Sequence, residues 1–254
     1  MRMFSLERTS NMHDLRVAAV LVSWRRAGNI GRIIESLSRI PQIKKVVIWN
    51  NSPAMSYDSV ILGDTLKHAP AHWPPITVDG DGKNHGLWGR YLAAINSDGY
   101  DCVFTQDDDY QVQNVPEILA SWQANPDRVT ACLYPWHLQR DHFKRWRNSC
   151  GEVIAHEVLL GWGSAFDWRL IKGAMDPYIS KFGKSQEFLR ESDRIFTIGM
   201  KREAVVMPHK TLALDGEQTG GVALYTQPDH MASIVKARTN ALQLLGIHYE
   251  HMGL

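Results

Sequence analysis

The chain has 254 residues, 44% of them hydrophobic and 22% charged, with a formal net charge of +1. That length can bury a full core, and the near-zero charge excludes a protein drawn to polyanions by its overall field, though it leaves room for a local basic patch. Three scattered cysteines (Cys102, Cys132, Cys150) exclude a disulfide framework or zinc knuckle and suit a reducing compartment. Residues 1–14 are polar and lack the apolar stretch of a signal peptide, and no run reaches the roughly 20 apolar residues that span a bilayer. The expectation is a cytoplasmic chain of a bacterium or a virus-infected cell, with no membrane span.

The first element, Leu15 to Val22, is a near-continuous apolar run, as in a parallel strand covered on both faces. A polar turn from Ser23 to Asn29 leads into Ile30–Leu37, whose apolar positions recur at helical spacing, and Pro41 closes that helix. Lys45–Trp49 reads as a second strand, so the chain opens β-α-β. Ser52 to Gly86 mixes Pro, Gly and Asp and reads as loop, with one weak strand at Ile76–Val78. Leu87–Asn96 is helical and delivers the chain to a strand containing Cys102, Val103 and Phe104. Val115–Ala124 reads as a helix with Asn114 as N-cap and Pro116 in its first turn. Val129–Tyr134 is a strand, and His137–Arg147, rich in Arg, Lys, His and Trp, fits neither period. Glu157–Phe166 reads as an apolar strand with a Gly-rich exit, Gln186–Met200 as a helix, Ala204–Met207 as a short strand and Pro228–Leu245 as a final helix. The pattern describes one α/β domain over residues 1–254, with a doubly wound, Rossmann-like first half (14–110) and a mixed second half (111–254).

Three consecutive carboxylates, Asp107, Asp108 and Asp109, follow the third strong strand, and like charges at adjacent positions repel unless a cation offsets them. Hard oxygen ligands at a strand's exit point to Mg2+ or Mn2+, which keep positions open for water and phosphate. In open α/β sheets ligands gather at the carboxyl ends of strands. The loops there contain Ser23-Trp24-Arg25-Arg26, Asn50-Asn51-Ser52 and the Asp triplet, an inventory for a base, a ribose and a metal-bound diphosphate. Taken singly, each piece has a plainer meaning: a turn, a core tryptophan, solvated arginines.

These residues resemble the GT-A fold glycosyltransferases, and within them the exostosin-like (glycosyltransferase family 64) α-N-acetylhexosaminyltransferases. The resemblance rests on Val47-Ile48-Trp49-Asn50-Asn51, on Phe104 to Asp109, on Leu159 to Phe166, and on Glu191-Ser192-Asp193-Arg194. It implies a nucleotide-sugar donor, a UDP-sugar, bound with a divalent cation. By position Asp109 would be the principal metal carboxylate, with Asp107 and Asp108 contacting ribose, sugar or bound water. Trp24 would offer a stacking face, and Arg26, Asn51 and Arg90 would contact the nucleotide, with Asn84 one residue out of step. Asp193 matches the second acidic residue facing the reacting sugar, whereas Ser192 replaces the first. The family's arginine before the last helix falls near Gln227.

Glycosyl transfer builds positive charge on the sugar and negative charge on the leaving diphosphate. A metal at Asp109 would stabilise the leaving group, and Asp193 would stabilise the sugar cation or take the acceptor's proton. His209 is a candidate third metal ligand and His230 its competitor, while Trp136 and Trp162 are candidates to stack on a sugar or base. The acceptor reads as a glycan, a small molecule or a hydroxymethylated base in DNA, the last through the cationic and aromatic segment 137–147. A non-catalytic nucleotide-sugar binder remains an alternative. A sugar-nucleotide pyrophosphorylase would carry a Gly-rich, Arg- and Lys-containing signature after the first strand, and Ser23 to Asn29 does not provide one.

Overall fold

The computed structural model describes residues 14–52, 57–133, 143–148, 150–214 and 229–247. Val17–Ser23 (β1), Ala27–Leu37 (α1) and Ile43–Asn50 (β2) form the opening β-α-β unit, followed by Tyr57–Lys67 (α2), Ile76–Asp79 (β3), Trp88–Ala94 (α3) and Cys102–Asp107 (β4). The second half runs through Tyr110–Val112 (β5), Val115–Ala124 (α4), Thr130–Leu133 (β6), Phe143–Arg147 (β7), Val153–Val158 (β8) and Ser164–Phe166 (β9). It ends with Leu170–Phe182 (α5), Gln186–Arg190 (α6), Ser192–Gly199 (α7), Val205–Pro208 (β10), Thr211–Ala213 (β11) and His230–Gln243 (α8).

The central seven-stranded sheet has the order β10-β6-β9-β4-β1-β2-β3. β1 pairs parallel with β2 and β4, whereas β9 runs antiparallel between β4 and β6, so the sheet is mixed. All seven residues of β1 are buried, as its unbroken apolar sequence requires of a strand covered on both faces. Side-chain alternation divides the core between the two faces. Val20, Val47 and Val103 pack with α3, α5, α7 and α8, while Ala19, Leu21, Ile48 and Phe104 pack with α1 and α4.

Several expectations need correction. The stretch read as loop contains α2, whose apolar residues Val60, Ile61 and Leu62 are consecutive rather than helically spaced. The described end of the basic segment, 143–147, is a strand paired with β8, while 137–142 and Trp136 lie outside the described residues, as does Gln227. Glu157–Phe166 is not one strand. β8 ends at Val158 and β9 starts at Ser164, with Gly163 between them at φ +99°, a conformation that favours glycine. Gln186–Met200 is two helices hinged at Glu191, where Ser192 Oγ donates to the carbonyl of Phe188 at 2.6 Å. Asn114 occupies the N-cap position of α4 without a capping bond, because its side-chain amide donates to the carbonyl of Pro208 at 3.3 Å.

Candidate functional site

At the carboxyl end of the sheet, Val22 of β1 stands in register with Asp107 of β4, and Ser23 with Asn50 of β2. The residues just beyond these pairs are therefore neighbours. They open a cleft of about 260 Å³ lined by Trp24, Arg26, Asn51, Asn84, Asp107, Asp108, Asp109 and Asp193, together with Trp162, Glu191, Arg194 and His230.

The carboxylates are tied down by two arginines. Asp108 is buried, accepting from the Trp24 backbone N–H at 2.8 Å and from Arg26 Nη1 at 3.1 Å, while its own carbonyl accepts from Asn29 Nδ2 at 2.9 Å. This fastens the turn after β1 to the turn after β4. Arg26 also lies 3.7 Å from Asp109. Arg90 of α3 is fully buried beneath the cleft, with Nη2 2.5 Å from Asp107 and Nη1 3.3 Å from Asp193. A buried guanidinium is tolerated only with such partners.

Around these pairs stand four carboxylates and two guanidiniums, so two negative charges are left over. The excess, together with burial, raises the proton affinity of these carboxyls. Burial pushes the Asp108 carboxyl up to about 6, and burial together with Asp107 pushes Asp109 up to about 7. Asp109 Oδ1 is a buried acceptor without a hydrogen-bond partner. Among the described residues no three His, Cys, Asp or Glu side chains form a ready metal cage. The donor set fits a hard divalent ion that takes one or two carboxylates and completes its shell with phosphate and water. Asp107 and Asp109 would hold it, because both oxygens of Asp108 are already engaged.

Asn51 organises the neighbouring part of the cleft. Its Oδ1 accepts from Trp49 Nε1 and from the His85 backbone N–H, each at 3.0 Å, and its Nδ2 donates to the carbonyl of Gly86 at 2.9 Å. Asn84 Oδ1 in turn accepts from the Gly86 N–H at 2.8 Å. Gly86 has φ +55°, and a Cβ there would come within 2.6 Å of the Leu189 carbonyl oxygen, so glycine is required. Gly161 has a different reason. A Cβ on it would stand 2.1 Å from Asp107 Oδ2, so the missing side chain makes room for the carboxylate.

Asp193 sits in the first turn of α7, where the helix dipole favours a negative charge. It accepts from Tyr91 Oη at 2.9 Å and from the Leu160 N–H at 3.0 Å. Burial pushes its carboxyl up while Arg90 holds it down. Both its oxygens are engaged, which suits a fixed electrostatic role better than proton uptake. Beneath it, buried Glu157 pairs with Arg194 and Arg238, and Glu191 with Arg194 at 2.9 Å.

Ten residues given a role in the sequence thus share the cleft: Trp24, Arg26, Asn51, Asn84, Asp107, Asp108, Asp109, Asp193, Trp162 and His230. Arg90 lies directly below them. His209 does not line the cleft. It stands behind Tyr110, ring centroids 6.2 Å apart, with Nε2 2.7 Å from Thr211 Oγ1, and burial pushes it down to about 4. His230 and Trp162 do line it. Sequence reasoning gave no individual role to Tyr91, Gly161 or Glu191. Tyr91 was hidden inside an ordinary helical pattern, whereas Glu191, beside Asp193, could have been suspected from its run of charges.

No protein-family model matches the chain, and neither does any curated protein. Solved structures do resemble it. A 4-diphosphocytidyl-2C-methyl-D-erythritol synthase from Anaerococcus prevotii aligns over 90% of this chain and 99% of its own, at 12% identity and a TM-score of 0.50. A mannosyltransferase from Pyrobaculum calidifontis, in complex with GDP-Man and Mn2+, aligns over 94% of this chain and 76% of its own, at 12% identity and a TM-score of 0.51. The likeness is one of fold and does not single out the exostosin-like family. The chain has the α/β GT-A, Rossmann-like arrangement with a mixed seven-stranded sheet.

Proposed function

We propose that the chain is a metal-assisted glycosyltransferase that moves a sugar from a nucleotide-sugar, a UDP-sugar, to a hydroxyl acceptor. The observation that carries this reading is the charge imbalance at the end of β4: Asp107, Asp108, Asp109 and Asp193 are tied to only two guanidiniums, Arg26 in the cleft and Arg90 beneath it, and one buried Asp109 oxygen is orphaned. A divalent cation neutralises that excess and, when bound, acts as a Lewis acid toward the leaving diphosphate. The chain's own residues do the rest. Trp24 presents an aromatic face for the base, the loop braced by Asn51 shapes the nucleoside end, and Asp107 and Asp109 hold the ion. Arg26 keeps Asp108 and Asp109 in place, and Arg90 keeps Asp107 and Asp193 in fixed relation. Asp193 then faces the sugar as an immobile negative charge, present before positive charge develops there and needing no reorganisation.

The exostosin-like motifs favour an N-acetylhexosamine or hexose donor. A pyrophosphorylase is the weaker reading, because the turn after β1 lacks its Gly-rich, Arg- and Lys-containing signature and Arg26 there is committed to Asp108 and Asp109. A panel of nucleotide-sugars with Mn2+ tests the reading through thermal stabilisation and slow release of nucleoside diphosphate. One nucleotide-sugar should raise the melting temperature and be hydrolysed only when metal is present. Equal stabilisation in chelator removes the metal, and binding without turnover for any acceptor makes the protein a binder.

A further inference from the structure

In the lining of the cleft that holds the Asp triplet, two buried polar atoms lie together without hydrogen-bond partners: Glu191 Oε1 and His230 Nδ1, 3.5 Å apart. They come from different elements, Glu191 from the hinge between α6 and α7 and His230 from the first turn of α8. Glu191 cannot swing away, because its other oxygen accepts from Arg194 Nε at 2.9 Å. A buried imidazole nitrogen beside a carboxylate oxygen, both unsatisfied, is the arrangement of a histidine whose Nδ1–H is oriented by an acid, with Nε2 left for chemistry. His230 lines the cleft and its side chain is 17% exposed. Contacts of this kind are often long in the unliganded protein and tighten on binding.

We infer that His230, oriented by Glu191, is the base that accepts the proton of the attacking hydroxyl. The inference rests on the proposed transferase reading and moves proton transfer away from Asp193, whose oxygens are occupied by Tyr91, Leu160 and Arg90. In the step, the acceptor oxygen forms its bond to the anomeric carbon as its O–H proton passes to His230 Nε2. The bond from that carbon to the diphosphate oxygen breaks, and its electron pair leaves with the nucleoside diphosphate. Glu191 stabilises the imidazolium that results. Among the described residues the other charged groups acting on the pair are Arg190, Arg194, Glu157, Asp193 and Asp229. Burial and the two arginines keep His230 neutral near pH 7, the state a base requires.

The test uses the full-length protein, Mn2+, the nucleotide-sugar that stabilises it best, and water as acceptor, with released nucleoside diphosphate as readout. His230→Gln should keep the metal-dependent thermal shift and lose about 10²–10⁴-fold in turnover. His230→Ala should regain turnover when imidazole is added, which a structural role would not allow. Glu191→Gln should lose less and move the acidic limb of the pH profile to lower pH, because the imidazolium loses its counter-charge. His230→Gln turning over within threefold of the wild type, or His230→Ala without imidazole rescue, overturns the inference. Loss of the metal-dependent shift in His230→Gln makes His230 a ligand instead of a base and overturns it equally. Absence of any nucleotide-sugar effect in the wild type is a different result, since it defeats the transferase reading itself.

Discussion

Asp109→Asn is the sharpest perturbation of the charge excess, because it removes one negative charge at nearly constant volume. A carboxyl moved from its ordinary 3.8 to about 7 reports repulsion and desolvation in the folded state worth up to roughly 4 kcal/mol, at 1.36 kcal/mol per tenfold. That value already nets off the attraction of Arg26 3.7 Å away, and an amide that must place a donor beside the guanidinium recovers only part of it, so a net gain of about 1–3 kcal/mol is expected. The sign follows from linkage. A carboxyl with a raised folded value binds more protons folded than unfolded between about pH 4 and 7, so its penalty is full above pH 7 and vanishes below pH 4. Asp109→Asn should therefore be more stable than the wild type in chelator at pH 8. The difference should correspond to roughly 2–10 °C in melting temperature and shrink steadily as the pH falls to 5. With Mn2+ and the donor the order should reverse, since only the wild type gains ligand stabilisation. Urea titrations and thermal scans at several pH values measure this. Equal or lower stability of the variant in chelator at pH 8, or an advantage independent of pH, would refute the charge argument.

Gly161→Ala should push Asp107 off Arg90 while leaving the fold intact, because the clashing atom is the end of a side chain. A large loss of turnover with a stability change of about 1 kcal/mol is expected, measured by steady-state kinetics and urea melts. Tyr91→Phe removes the hydroxyl bond to Asp193 and should cost about 1 kcal/mol in stability and lower kcat more than it changes KM. Glu157→Ala takes a buried ion-pair partner from Arg238 and from Arg194, which keeps Glu191, and should cost roughly 3–5 kcal/mol, seen as a large drop in the urea midpoint.

Much of the first half was legible in the sequence because its signals are local. β1, β2 and β4 are unbroken apolar runs, and the polar residues at their ends must emerge together in a parallel sheet, so Trp24, Asn51 and the Asp triplet could be placed in one cleft. The division of labour among those residues was not legible. Asp108 and Asp109 look alike in sequence, yet one has both oxygens engaged and the other keeps an orphaned oxygen, a difference set by the Trp24 N–H across the sheet. Likewise Arg90 reads as a ligand-contacting cation but is sealed beneath the cleft, and His209 follows a strand near the site but faces Thr211. Elements without clean periodicity were lost: α5 contains Pro177, α2 has adjacent apolar residues, and β7 alternates cations with aromatics in a two-stranded hairpin. Among the described residues no helix is long and apolar enough to cross a membrane.

Calorimetric titration of the preferred nucleotide-sugar into wild-type protein and into Asp109→Asn, each with Mn2+ and with chelator, tests the metal-bridged donor site most directly. Binding should appear only for the wild type with Mn2+. Undiminished affinity in chelator, or in Asp109→Asn, would contradict a divalent ion joining these carboxylates to a diphosphate.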